Sequence, residues 1–276
     1  MVTQTATQLS VKQDERETAV SLPHILSHYA PISLNEMNDV ALLNRTDTKF
    51  VMTESQLKQA LSRLQNRYRV LEIKQQRLNQ YQTLYFDTEA FDLYQKHHAG
   101  WTNRYKVRSR EYVDSHISFF EVKHKTNKNR TVKSRMQTDD LATGFDAETA
   151  VFLHNHAPLN ANTLHPTLWN SFTRITLVSN VRPERLTLDT NLAFHHDQDN
   201  VTLPGIAIAE VKQEGFSMRS DFIQQMRGLG IRPSGFSKYC IGATLLYPTL
   251  KSNNFKPKLR HVNKLMQQEA KHGYLH

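Results

Sequence analysis

One cysteine, Cys240, stands among 276 residues, which excludes an intramolecular disulfide and any cysteine-based metal framework. No uninterrupted apolar run approaches the ~18 residues needed to cross a bilayer. The first residues lack the basic and apolar regions of a secretory signal, so a cytoplasmic protein is the expectation. No Walker-type glycine string occurs, and Gly228 and Gly230 do not follow a strand as a dinucleotide loop would. Histidine is plentiful, but His97–His98, His154 with His156, and His195–His196 lack a carboxylate at diagnostic spacing. Neighbouring histidines on a strand also point to opposite faces, so no histidine metal site is expected.

What the chain does have is positive charge in two places. The net charge is +9; Arg104–Arg135 contributes +7, Lys251–His276 contributes +5, and the remainder is −3. Basicity held this locally points to defined anion sites rather than a generally adhesive surface. Within Arg104–Arg135, ten of 32 residues are Lys or Arg, and their phase carries the information. In an extended strand Arg104, Lys106, Arg108 and Arg110 share one face, opposite Tyr105, Val107 and Ser109. Phe119, Glu121, Lys123 and Lys125 repeat the pattern against Phe120 and Val122, and Lys133 and Arg135 repeat it against Val132 and Ser134. Same-face neighbours lie roughly 7 Å apart, so each like-charge pair costs about 2.4 kcal/mol at an effective dielectric near 20. A solvated sheet face tolerates this. Basic faces that converge do not, unless carboxylates or a polyanion fill the space, and periodicity alone leaves both arrangements open.

The rest of the chain reads as alternating strands and amphipathic helices. Residues 1–18 are polar and expected to be disordered, and residues 1–30 as a whole form an amino-terminal arm, with a short helix or docking segment near its end. Asn44–Met52 is a strand with Arg45, Asp47 and Lys49 in phase. Thr53 caps a helix that carries Leu57, Ala60, Leu61 and Leu64. Strands are predicted at Tyr68–Ile73 and Gln80–Phe86, then a short helix or turn at Phe91–His97. Asp139–Leu153 is expected to be helical, and Asn155–Asn170, with two prolines, a loop or mixed connection. Phe172–Val178, Glu184–Thr190 and Gly205–Lys212 are further strands. Ser220–Leu229 is a helix closed by Gly230, and Ser237 caps another that ends at Pro248. Lys238 sits in the first turn of that last helix, where a cation opposes the helix dipole unless an anion is bound there. Residues 251–276 form a basic tail, solvated or partly helical.

Taken together, Arg45–Phe50, Leu84–Thr88, Arg108–Arg110 with Tyr112, Glu121–Lys123, Val132–Arg135, Arg185–Thr190, Glu210–Lys212 and Phe236–Tyr239 resemble the VTC domain of polyphosphate polymerase type. That domain is a branch of the CYTH, or triphosphate tunnel metalloenzyme, superfamily. The resemblance implies an α+β fold over residues 31–250, a closed antiparallel β-barrel tunnel with helices packed outside. It implies phosphate-binding roles for Lys49, Arg108, Arg110, Lys123, Lys133, Arg174, Arg185 and Lys238, and a metal-ligating role for Glu210 toward Mn²⁺ or Mg²⁺. Asp47, Lys106, Glu121, Arg135, Asp189 and Lys212 are secondary candidates for phosphate, metal or internal pairing. The implied activity is transfer of the ATP γ-phosphate to a growing polyphosphate chain. A triphosphate or polyphosphate hydrolase and a non-catalytic polyanion-binding module are the alternatives. ATP and polyphosphate are the expected partners, nucleic acid is not, and a membrane-protein partner is left open.

Overall fold

Strands form where charged and apolar residues alternate, and helices where apolar residues recur at three and four. A computed structural model describes residues 20–38, 45–128, 130–215 and 217–273; the expected disorder of residues 1–18 lies outside them, as does Asn44. In chain order, α1 (Leu22–Ser27), β1 (Ala30–Ile32) and α2 (Leu34–Asn38) precede β2 (Thr46–Thr53) and α3 (Glu54–Ser62). Next come β3 (Tyr68–Leu71), β4 (Asn79–Asp87), α4 (Asp92–His98), β5 (Arg104–Tyr112), β6 (Ile117–Lys125) and β7 (Thr131–Thr138). Then follow α5 (Ala147–His156), β8 (His165–Ser179), β9 (Glu184–His196), β10 (Asp199–Leu203) and β11 (Ile206–Gln213). Helices α6 (Asp221–Gly228), α7 (Lys238–Leu246) and α8 (Lys256–Gly273) complete the chain. Thr53 caps α3 as read, with Gln56 returning the bond to the Thr53 backbone as a capping box.

The main ladder runs β2-β11-β9-β8-β4-β5-β6-β7, antiparallel at every step. β3 joins β8, and β1 adds to β3 in parallel. The expected closed barrel is therefore met as one large antiparallel sheet with helices, without hydrogen-bonded closure: among the described residues no ladder joins β2 to β7. The free edge of β2 is used otherwise, since the Ser234 N–H donates to the Lys49 carbonyl at 2.8 Å. The sheet nonetheless curls. Lys106 on β5 donates to Ser237 at the start of α7 at 2.9 Å, while Lys238, one residue on, ion-pairs with Asp189 on β9. Two strands separate β5 from β9 in the ladder, so α7 bridges across a concave face.

Three apolar clusters fix this shape. On the outer face, α1, α3 and α6 cover Phe50, Ile175, Leu188 and Ala209. Farther along, Leu153 of α5 covers Leu84, Val107, Phe120 and Val122. Inside the curl, α7 contributes Tyr239, Cys240, Ile241 and Ala243 to a cluster with Tyr81, Tyr85, Phe172 and Ile208. A helix this apolar is buried on most sides, and it plugs the concave face at one end.

Some boundaries differ from the sequence reading. Residues 139–146 are not helical; α5 begins only after Asp146, whose carboxylate caps it through the Thr149 N–H at 2.8 Å. β8 starts at His165 within the expected loop, because Pro166 lies where the register with β4 shifts between Tyr85 and Phe86, a place where a missing N–H is tolerated. β9 runs on past Thr190 to His196 and folds back through β10.

Candidate functional site

The basic residues of β5, β6 and β7 share the concave face with Glu121, and register sets who meets whom. Lys106 lies directly across from Lys123, and Lys123 directly across from Lys133. One step along, Arg108 opposes Glu121, and Glu121 opposes Arg135. A row of three lysines thus runs beside a row in which a carboxylate sits between two arginines. Directly opposed like charges destabilise a sheet, so the lysine row is not a device for stability.

Glu121 is wholly buried and accepts from Arg108 Nε at 2.7 Å and Nη2 at 2.5 Å; Lys133 completes the triad. Burial pushes the Glu121 carboxyl up, but Arg108, Arg110 and Lys133 outweigh it and hold the group well below the usual carboxylate range. Lys133 is drawn down to about 8, by burial first and against the pull of Glu121. Lys123 forms no ion pair among the described residues. Burial, then the neighbouring Arg108, push its ammonium well below the ordinary lysine range.

Across the curl, Glu210 on β11 is flanked by Lys49 on β2 and by Lys212, whose Nζ is 2.5 Å from Oε2. Lys212 also donates to Thr187 at 3.0 Å, and burial lowers it to about 8 despite Glu210. Asp189 receives a two-pronged bond from Arg174, at 2.6 and 2.7 Å, together with Lys238. Arg185 faces Lys212 across the β9–β11 pair, and burial lowers it too. Asp47, the register partner of Lys212, pairs with Arg45 at 3.2 Å. Arg135, on β7 at the end of the ladder, is exposed, its guanidinium 4.6 Å from the Phe119 ring centre.

An aromatic floor joins the two halves. Arg110 and Arg174 both lie over Tyr81 and Phe172, at 4.9 to 5.6 Å from the ring centres, and Lys238 sits 4.3 Å over Phe172. Ring faces stabilise cations without neutralising them. Arg110 also donates to Thr83 at 3.1 Å, and Arg108 to the Tyr85 hydroxyl at 3.4 Å. Tyr81, Thr83, Tyr85 and Ser237 were not among the sequence candidates. Tyr81, Thr83 and Tyr85 carried a readable signal, lying in phase on one strand, but uncharged side chains gave no reason to single out that phase.

The expected metal role of Glu210 is tested by its partners. Among the described residues no trio of His, Cys, Asp or Glu is grouped to hold an ion, and Glu210 is tied to two lysines. The described residues form no protein-only cage. The donor set still fits a hard cation that takes one carboxylate oxygen and fills its remaining positions with phosphate oxygens and water, the usual habit of Mg²⁺.

A family model described as VTC domain matches residues 44–247. No curated protein matches the chain. Among solved structures, the chain is similar to a putative adenylate cyclase from Bacillus halodurans, at 14% identity and TM-score 0.43, covering 70% of this chain and 94% of that one. It is also similar to a putative adenylyl cyclase from Hippeastrum described as having a dominant triphosphatase activity, at 14% identity and TM-score 0.45, covering 72% and 94%. A conserved hypothetical protein from Pyrococcus furiosus shows 10% identity and TM-score 0.40, with 70% and 98% covered.

Proposed function

The chain belongs to the VTC domain family, and from that premise we propose that it is a polyphosphate polymerase, moving the ATP γ-phosphate onto a growing polyphosphate chain held along the concave face. The observation that carries this reading is the Lys106–Lys123–Lys133 row. Three like charges are opposed in register on one face of β5, β6 and β7, and a run of phosphates matches them in sign.

Phosphoryl transfer asks little covalent work of a protein; positioning and charge neutralisation do most of it. Arg108 and Arg110 grip the transferred phosphoryl oxygens, with Arg108 oriented by Glu121 and Arg110 by Thr83 and the aromatic floor. Lys123 and Lys133 hold the neighbouring phosphates. Arg174 and Lys238, both steered by Asp189, and Arg185 and Lys49 extend the basic track. A divalent cation, when bound by Glu210 and phosphate oxygens, would offset charge on the leaving diphosphate.

The carboxylates favour a phosphate acceptor over water. Glu121 and Asp189 are buried and Glu210 half-buried, which raises them, and each is overcome by flanking cations that hold it below the ordinary range. Such groups are poor general bases. A terminal phosphate is already ionised and needs none, whereas water does. The hydrolase remains the second reading on the same residues, and incubation with ATP and Mn²⁺ separates the two. Long-chain polyphosphate as product supports the polymerase; orthophosphate alone assigns a hydrolase; salt-sensitive binding without turnover assigns a polyanion-binding module. No helix among the described residues is long and apolar enough to cross a membrane; docking to a membrane protein is a further element of this proposal.

A further inference from the structure

Gly235 lies in the loop that rides on the free edge of β2, and with Asp47, Thr48, Lys49, Pro233 and Ser234 it lines an open cavity of about 340 Å³. A Cβ placed on Gly235 would stand 3.5 Å from the ammonium of Lys258. That lysine belongs to α8, remote in sequence from the sheet. It is half-buried, its Nζ 5.9 Å from the centre of the Phe255 ring, and it forms no ion pair among the described residues. The charges that line the opening are matched: Lys49 with Glu210, and Asp47 with Arg45.

Helix α8 is not a loose tail. Phe255, Val262 and Leu265 are buried in the cluster that holds α7, and Glu269 accepts from both the backbone N–H and the hydroxyl of Ser55, each at 2.9 Å. With Phe255 near one end and Glu269 near the other held to the sheet domain, the ammonium of Lys258 is delivered to one place. A half-desolvated, unmatched cation beside a side-chain-free residue leaves room for an anionic group to reach both it and the loop.

We propose that Lys258 is a phosphate-binding residue at the β2 edge of the concave face, supplied by α8, and that it engages phosphates of a chain emerging past Lys49. This rests on the reading of the concave face as a polyphosphate track. The ligand chemistry is the phosphate oxyanion, whether it belongs to a nucleotide or to an inorganic chain.

The test is isothermal titration of the full chain with inorganic tripolyphosphate and with a long-chain polyphosphate, for wild type, Lys258→Ala, Lys258→Arg and the double variant Lys258→Ala with Gly235→Lys. Loss of one charge-assisted contact should weaken long-chain binding about tenfold, and tripolyphosphate binding less, because the shorter chain fits inside. Lys258→Arg should bind as wild type. The double variant, which returns an ammonium to the same opening from the loop side, should recover most of the loss, a result that a packing role for Lys258 would not give. Wild-type affinity of Lys258→Ala for both ligands, or failure of Gly235→Lys to restore a lost affinity, overturns the proposal. If wild type binds neither ligand, the track itself is refuted and this inference with it.

Discussion

Replacing Lys123 by Met should make the empty protein more stable and the loaded one weaker. The side chain is half-buried, without an ion-pair partner among the described residues, and directly across from Lys106 on one side and Lys133 on the other. Each like-charge pair, with directly opposed side chains roughly 5 Å apart at an effective dielectric near 20, costs about 3 kcal/mol. The empty protein escapes part of that by releasing the Lys123 proton, since burial and Arg108 already push the group down. Met keeps the length of the stem and removes the charge. A net gain of about 2 kcal/mol is therefore expected near neutral pH, which for a chain of this size raises Tm by roughly 4–8 °C. In the same variant, tripolyphosphate affinity should fall at least about tenfold, the worth of one charge-assisted contact. Calorimetric unfolding and titration of both proteins at fixed ionic strength decide it. A variant that is less stable than wild type and binds tripolyphosphate equally well would refute the claim that the lysine row is strained for the sake of a polyanion.

Binding should also move protons. Lys133 and Lys212 sit at about 8 in the empty protein, and a polyanion beside them raises both. Tripolyphosphate binding at pH 8.5 should take up on the order of one proton, read as a dependence of binding enthalpy on the ionisation enthalpy of the buffer; no dependence would contradict it. Without ligand the sign is the reverse of an ordinary salt bridge. These lysines lie lower in the folded chain than in the unfolded one, so the stability they contribute is present above their unfolded value and lost as pH falls toward 8. The melting temperature of the empty protein should accordingly show an upward contribution from them between pH 8 and 10, flattened by saturating tripolyphosphate. Glu210→Gln should abolish metal-dependent turnover yet tighten metal-free tripolyphosphate binding, because Lys49 and Lys212 lose their partner; unchanged turnover would remove Glu210 from the reaction. Asp87→Ala should destabilise by about 3 kcal/mol, measured by urea unfolding. Asp87 is fully buried and accepts from the N–H groups of Thr88, Leu93 and Tyr94 and from the Tyr239 hydroxyl, so it ties α4 to α7.

Much of this was fixed by residue order alone. Alternation along Arg104–Arg110, Phe119–Lys125 and Lys133–Arg135 assigns the basic residues to one face of three strands, because successive side chains on a strand point opposite ways. The capping residues Thr53, Ser220 and Ser237 mark helix starts for an equally local reason, a side-chain oxygen reaching an orphan N–H. What sequence could not supply was which rows face each other. Register is a property of pairs of strands, and it alone sets Lys123 between two lysines and Glu121 between two arginines. Nor could it give curvature: only the fold brings Lys106 and Lys238 to the same helix terminus and returns α8 to the edge of β2. Contacts between residues far apart in the chain depend on how the apolar faces pack, and that is settled by the whole core at once rather than by any segment of it.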